Sequence, residues 1–333
     1  VKKRFLSLLL LLPAIFATGC TSFISSILSD DTTEYLPDGL QEIVDISPDD
    51  STLLFSYKIN DIASIYTADV DGKNIKQLTK PKKGEAHLYP RYSPDGKKIL
   101  FISSSDEQRR SPLMIMDHDG SNIKQLTDDD EMIQEAIFSP NGNRIYFIKA
   151  TEYAELPLLA GLYGPINLNI FSMNTDGTGE KQLTDFQKGE LYNLIVSEDE
   201  SQIKFIKKDD DEPYSNQLYT IEMNQPKDIN KINLSKEFIV NVDISSMDDS
   251  IAIAAVAKEI FSDSEIFLVD PETNETVQIT SLQSDTSHPR FFHKKKKLLF
   301  MEIIQSDPDK YPPQHQLWSI DLQSRKLDKV KLF

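Results

Sequence analysis

The stretch "YPRYSPDGKKILF" at residues 89–101 returns, altered but legible, as "EAIFSPNGNRIYF" at residues 135–147. Its centre is a tight turn in which each residue has a mechanical reason. Proline presets φ for the first corner, aspartate or asparagine bonds the backbone two residues on, and glycine accepts the positive φ that closes the turn. Short alternating runs of aromatic and β-branched residues flank it, the pattern of half-buried strands. Related turns stand at Ser47-Pro48-Asp49-Asp50, Ser93-Pro94-Asp95-Gly96, Ser139-Pro140-Asn141-Gly142, Ser197-Glu198-Asp199-Glu200 and Ser246-Met247-Asp248-Asp249, with a degenerate sixth copy over His293–Lys296. The serines are 46, 46, 58 and 49 residues apart, with 47 more to His293.

Each unit carries further punctuation in the same order. "DVDGKNIKQLT" (69–79), "DHDGSNIKQLT" (117–127) and "NTDGTGEKQLT" (174–184) are near copies, and "INLS" (232–235) and "VQIT" (277–280) are weaker echoes. In the second unit, strands are predicted at Tyr89–Tyr92, Lys98–Ser103, Leu113–Met116 and Ile123–Leu126. Four short strands per unit, six times over, predict an all-β fold: a six-bladed β-propeller of four-stranded antiparallel blades.

The "YPRYSPDGKKILF…LMIMDHDGSNIKQLT" pattern resembles the WD40-like (PD40) repeat of the TolB-like propeller family, which also occurs in prolyl-oligopeptidase-type enzymes. The resemblance covers roughly residues 41–333 and is strongest in units two and three. It implies a fold and, more loosely, a binding scaffold, because propellers host many unrelated activities. TolB-like relatives carry an α/β domain before the propeller, whereas about twenty residues here separate Cys20 from the first blade. Peptidase relatives add a hydrolase domain with a G-x-S-x-G elbow, a motif this sequence lacks. Some propeller lyases of this kind place metal-binding histidines around the central channel.

The first twenty residues, "VKKRFLSLLLLLPAIFATGC", have a basic tip, an apolar run and small residues before a cysteine. They read as an export signal, and the apolar run is short of the roughly 20 residues that span a bilayer. Cys20, the chain's single cysteine, stands where cleavage is expected, and the segment resembles the lipobox of bacterial lipoproteins. The expected organisation is a signal peptide over 1–19, a lipidated tether over 20–40 and the propeller over 41–333. The acyl chains (palmitate) on Cys20 would be its covalent modification, with no other cofactor.

Formal charge is −17, and without the first nineteen residues 33 bases face 53 acids, or −20. Such a surface repels nucleic acid, whose binding depends on lysine and arginine displacing counterions. Expected partners are therefore a membrane, reached through the lipid anchor, and an envelope protein or a neutral or basic ligand, with the chain itself a monomer facing the periplasm or the cell exterior.

Short turns join strands one to two and three to four, so the variable connections gather on the opposite face. They include "SSDEQRRSP", "KKDDDEPYSN" and "QSDPDKYPPQH", and variable loops on a rigid scaffold are where binding concentrates. The third unit inserts "KATEYAELPLLAGLYGPINLN" between Ile148 and Ile170. Leu156, Leu158, Leu159, Leu162 and Tyr163 then either fold back over the propeller or form a partner-binding patch. Arg91 and Arg290, with His87 and His288, are candidate ligands at the channel mouth, the arginines for a carboxylate.

The Asp-Gly turns lack the glycine and glutamate spacing of an EF-hand, and no compact zinc motif is present, so no metal site is predicted. Lys294–Lys297 is expected as a solvated tip and Trp318 as core. Two functional classes follow: an interaction scaffold in the cell envelope, and, as alternatives, a channel-mouth enzyme (a metal-assisted lyase or hydrolase on saccharide) or a small-ligand sensor.

Overall fold

The computed structural model describes residues 38–105, 109–155, 163–208, 216–236, 238–257, 263–270, 273–304 and 314–333. They form six antiparallel sheets, each of four strands consecutive in sequence. Blade 1 holds β1 (Gly39–Ile46), β2 (Thr52–Ile59), β3 (Ile62–Asp69) and β4 (Lys76–Gln77); blade 2 holds β5 (Ala86–Tyr92), β6 (Lys98–Ser104), β7 (Leu113–Asp117) and β8 (Lys124–Gln125). Blade 3 holds β9 (Ile133–Phe138), β10 (Arg144–Glu155), β11 (Tyr163–Asn174) and β12 (Lys181–Gln182); blade 4 holds β13 (Glu190–Val196), β14 (Gln202–Lys208), β15 (Asn216–Glu222) and β16 (Gln225–Lys231). Blade 5 holds β17 (Ile239–Ile244), β18 (Ile251–Val256), β19 (Ser264–Val269) and β20 (Thr276–Gln278); blade 6 holds β21 (Thr286–Phe291), β22 (Lys297–Ile304), β23 (Gln314–Asp321) and β24 (Leu327–Val330). The six-bladed propeller expected from the repeat is the fold observed.

The repeated residues each make a specific bond. In the first four blades the turn serine's Oγ accepts the backbone N–H five residues on: Ser47 from Thr52 at 2.9 Å, Ser93 from Lys98 at 2.9 Å, Ser139 from Arg144 at 3.0 Å and Ser197 from Gln202 at 2.9 Å. The same hydroxyls donate to Asp49, Asp95, Asn141 and Asp199. The closing Gln-x-Thr is equally purposeful. Thr79, Thr127, Thr184 and Thr280 accept through Oγ1 the N–H of Ile65, Leu113, Ile170 and Ile266 in the third strand, at 2.8–3.0 Å. The glutamine two residues before each threonine bonds that threonine's carbonyl. The faint "VQIT" echo of blade 5 therefore makes the same bonds as the clear copies.

Two turns sit one residue earlier than the sequence suggested. The backbone bond that closes each turn runs from Ser245 to Ser250 in blade 5 and from Phe292 to Lys297 in blade 6, not from Ser246 or His293. Adjacent serines hid the first offset. In the second, the hydroxyl is replaced by a buried phenyl ring. Strand β8 is also shorter than expected, since Ile123 and Leu126 lie outside its ladder.

The core lies between blades rather than within one. Leu53 and Phe55 of blade 1 cluster with Leu299, Met301 and Leu317 of blade 6, and Leu100 and Ile102 of blade 2 with Ile145 and Phe147 of blade 3. Trp318, expected in the core, is only partly buried: it packs at the edge of the blade 5 and 6 cluster, donates Nε1–H to Glu302 at 2.7 Å and lies under Lys329 Nζ. Lys294 and Lys295 are not merely a solvated tip, because both bond blade 1 through Asp50.

The insertion in blade 3 lengthens the two middle strands into a hairpin. Strands β10 and β11 pair from Arg144↔Asn174 out to Glu155↔Tyr163, while β9 reaches only Lys149 and β12 only Phe171 and Ser172. Residues 151–155 and 163–167 thus form a two-stranded ribbon beyond the four-stranded sheet. Arg109 of blade 2 stacks over Tyr153 on this ribbon, 5.0 Å from its ring centre. Leu156, Leu158, Leu159, Leu162 and the side chain of Tyr163 lie outside the described residues.

The central channel as candidate functional site

The six first strands surround the axis, and their pairing sets equivalent positions. Two residues before the closing turn stand Asp45, Arg91, Ile137, Ile195, Asp243 and Arg290, opposite Leu54, Leu100, Tyr146, Lys204, Ala252 and Leu299. Four of the six are ionisable. A first strand facing a channel has room for such groups, but each must then find its partners on neighbouring blades.

Arg290 does so fully. Its Nε donates to Asp45 Oδ1 at 3.0 Å and its NH1 to Asp243 Oδ1 at 3.0 Å, while its NH2 makes an ion pair with Asp45 Oδ1 at 2.8 Å. The second oxygen of each aspartate accepts a backbone N–H of the next blade, Asp45 from Tyr92 at 2.8 Å and Asp243 from Phe291 at 2.7 Å. Burial opposes the charge on Asp45, but Arg290, Arg91 and the Tyr92 N–H together hold its carboxyl below the usual range. Burial likewise works against the Arg290 cation, and the two aspartates reverse it, so its pKa is raised.

Arg91 occupies the equivalent place in blade 2 with a different outcome. Its contacts to Asp45 at 3.8 Å and Glu135 at 3.9 Å are ion pairs without hydrogen bonds. Its buried Nε has no hydrogen-bond partner among the described residues. Burial, with the nearby Arg290, pushes its pKa down against the pull of Asp45, Glu135 and Asp243. Glu135 in turn spends its oxygens on backbone, accepting from Asn193 N–H at 2.6 Å and Leu194 N–H at 3.2 Å. Burial raises the Glu135 pKa against the pull of Arg91 and these two donors.

A second device came from residues the sequence reading passed over. The first strands carry a register shift, and the residue in it takes a positive φ: Tyr89 at 55°, Asn193 at 62° and His288 at 50°. Such a bulge withdraws an N–H from its own ladder, and in two blades the neighbour collects it. Glu135 takes that of Asn193, and Asn241 Oδ1 takes that of His288 at 3.0 Å. Asn193 also bonds both the N–H and the carbonyl of Val242. The available signal was the recurrence of asparagine or glutamate four residues before the turn position, at Glu135, Asn193 and Asn241.

Arg91, Arg290 and His288 border one small pocket of about 30 Å³, together with Ile43, Asn193, Ile195 and Asp243. His288 lies within β21, not ahead of it. Its Nδ1 is 3.0 Å from Ser287 Oγ, and burial holds its pKa down at about 3. His87 is not brought to this pocket. It is buried within β5 against the ring of Phe101, 4.8 Å between centres, and its Nδ1 lacks a hydrogen-bond partner among the described residues. Among the described residues no group of three or more His, Cys, Asp or Glu is placed to hold a metal ion.

Comparison with known proteins places this geometry among relatives. Residues 38–160 match the family model described as the TolB beta propeller domain. Over 66 residues the chain is 33% identical to the Tol-Pal system protein TolB of Roseobacter denitrificans, a match covering 18% of this chain and 15% of that protein. Among solved structures, TolB from Acinetobacter baumannii superposes with a TM-score of 0.61 at 17% identity, over 91% of this chain and 65% of that one. An oligogalacturonate lyase in complex with manganese superposes with a TM-score of 0.58 at 16% identity, over 86% of this chain and 75% of that one. The chain thus spans less than two thirds of the length of either TolB protein. At these identities the solved structures share its fold.

Proposed function

We propose that this TolB-like β-propeller is an exported, lipid-anchored scaffold of the cell envelope, which binds a protein partner through the face that carries its long connections. The observation that carries the reading is the blade 3 ribbon, which extends residues 151–155 and 163–167 past the sheet on that face. Strand β1 begins at Gly39, and Gly39 pairs with Lys58 at the far end of β2, so the chain joins the ring at the same face. A tether from Cys20 would hold that face near its membrane.

The sequence at the ribbon's tip supplies Leu156, Leu158, Leu159, Leu162 and Tyr163 for the contact. Leaving leucines in water forfeits about 1.5–3 kcal/mol each relative to full burial, so a partner surface that covers them gains affinity. Lipid on Cys20 contributes about 0.8 kcal/mol per buried methylene, enough with two or three chains to hold an acidic domain at a bilayer that repels it. The name of the Roseobacter relative, a Tol-Pal system protein, supports an envelope role for the present chain.

Two variants test the parts separately. Cys20→Ala should move the protein from the membrane to the soluble fraction, and equal retention would refute the anchor. Replacing residues 151–167 by a two-residue turn should leave the propeller folded and membrane-bound while abolishing the crosslinks that the unaltered protein forms in intact cells. Unchanged crosslinks would remove the ribbon from the interface.

A further inference from the structure

We infer that the central pocket is a binding site for a small carboxylate, with Arg91 as its anchoring residue. The inference goes beyond the scaffold role and does not depend on it.

The argument rests on two arginines at the same position of two blades. Arg290 has two hydrogen bonds, to Asp45 and Asp243, and a 2.8 Å ion pair with Asp45. Arg91, with its side chain 13% exposed, donates no hydrogen bond among the described residues and has only ion pairs at 3.8 and 3.9 Å. Buried donors are almost always satisfied, so an arginine unpaired beside an open pocket is served by water or by the acceptor of a ligand that displaces it. The neighbouring carboxylates cannot supply that acceptor. Asp45 is held by Arg290 and Tyr92, and Glu135 by the N–H groups of Asn193 and Leu194.

The pocket beside Arg91 fits a carboxylate in shape and chemistry. A guanidinium presents paired N–H groups that match the two oxygens of a carboxylate, which neither a hydroxyl nor a single carbonyl can do. The same pocket is lined by His288, by the apolar side chains of Ile43 and Ile195, and by Asp243. The lining thus combines a guanidinium fork with apolar side chains, which suits a carboxylate bearing a short apolar tail.

Local charge sets the selectivity. Asp45, Glu135 and Asp243 outnumber the two guanidiniums and oppose an anion, so only a carboxylate matched bidentately to Arg91 overcomes that repulsion. Glu135 is the weakest of the three counter-charges, being 3.9 Å from Arg91 and disfavoured as an anion by burial. The ligand's carboxylate takes over the role of counter-ion to Arg91.

The test uses acetate and its neutral isostere acetamide, titrated into the full-length protein at constant ionic strength and followed by calorimetry and by thermal shift. Acetate should raise the Tm in a saturable way and acetamide should not. Arg91→Gln should weaken acetate binding at least tenfold, and Arg91→Lys, which keeps the charge but loses the fork, should weaken it less. If Arg91→Gln proves unfolded, Arg91→Lys and the acetate–acetamide contrast still decide the matter. Equal responses to acetate and acetamide, no response to acetate up to tens of millimolar, or wild-type acetate affinity in a folded Arg91→Gln would each overturn the assignment.

Discussion

His87 places a titratable ring where the blade interface needs only volume. It is buried against Phe101, its Nδ1 has no hydrogen-bond partner among the described residues, and burial depresses its pKa to about 4. His288 is depressed further, to about 3, by burial together with His315 and Arg91. Between these values and the ordinary histidine pKa of about 6.5 the unfolded chain binds protons that the folded chain does not, so stability falls as pH falls through that window. Each ring contributes at most about 1.4 kcal/mol per pH unit. We expect the urea midpoint to drop between pH 7 and pH 5, and His87→Phe to reduce the drop while leaving stability at pH 7 equal or higher. An unchanged pH slope in that variant would mean that His87 is protonated in the fold.

Two glycines separate the cost of a backbone conformation from the cost of a close approach. Gly96 has φ +69°, and a Cβ there would rest at 3.5 Å from Pro48 Cδ. Gly72 has φ +85°, and a Cβ there would fall 2.1 Å from the carbonyl oxygen of Lys331. Alanine at either position pays the left-handed cost of about 1–2 kcal/mol. Gly72→Ala must in addition displace the strand-end backbone of blade 6, so its Tm should fall well below that of Gly96→Ala. Similar Tm values would show that the tail yields freely.

At the scale of elements, the repeat was legible because every recurring residue makes a local bond. The turn serine caps an N–H five residues on, and the closing threonine pins the fourth strand to the third fourteen residues back. Such bonds recur at fixed spacing, so the spacing exposes them. Thr127→Val keeps the shape but leaves the Leu113 N–H without its partner, and should cost about 1–3 kcal/mol; chemical denaturation against the unaltered protein measures it. A change below about 0.5 kcal/mol would mean that water replaces the hydroxyl. The channel was only partly legible for the converse reason. Arg91 and Arg290 stood out by their place before a turn, but the bonds that decide their roles join residues 47 to 245 positions apart. Glu135, Asn193 and Asn241 share a position but only two of them an identity, Asp45 stands at another position, and the bulges shift the register by one. His87 was misplaced because a bulged strand does not keep strict alternation, so its side chain turns into the blade interface.

Across the whole molecule, the tight turns stack around one end of the ring. Where a turn ends in glycine, the proline of the preceding blade's turn lies over it, Pro48 on Gly96 and Pro94 on Gly142. Between blades 6 and 1 that device is replaced. Asp50, buried and at φ 62°, accepts the N–H groups of His293 and Lys294 at 2.7 and 2.8 Å. His293 Nε2 and His315 Nδ1 reach the carbonyls of Ile46 and Leu40, and Phe333 packs on Tyr57 with ring centres 4.3 Å apart. Hydrogen bonds to a charged acceptor contribute about 1.5–3 kcal/mol each. Asp50→Ala should therefore lower stability by about 2–4 kcal/mol, and Asp50→Asn, which tolerates the left-handed backbone and keeps one acceptor, by roughly half. If both variants melt with the unaltered protein, the carboxylate does not clasp the join.

Because every sheet is made of consecutive strands, no strand among the described residues crosses from the last blade to the first. The molecule is mechanically a split washer: five of its joints carry chain continuity as well as packing, and the sixth is held, among the described residues, by side-chain packing and hydrogen bonds. Thermal or applied strain that widens the bore is relieved at that slit, and the bore's width, with whatever it grips, is set by how firmly the slit stays shut.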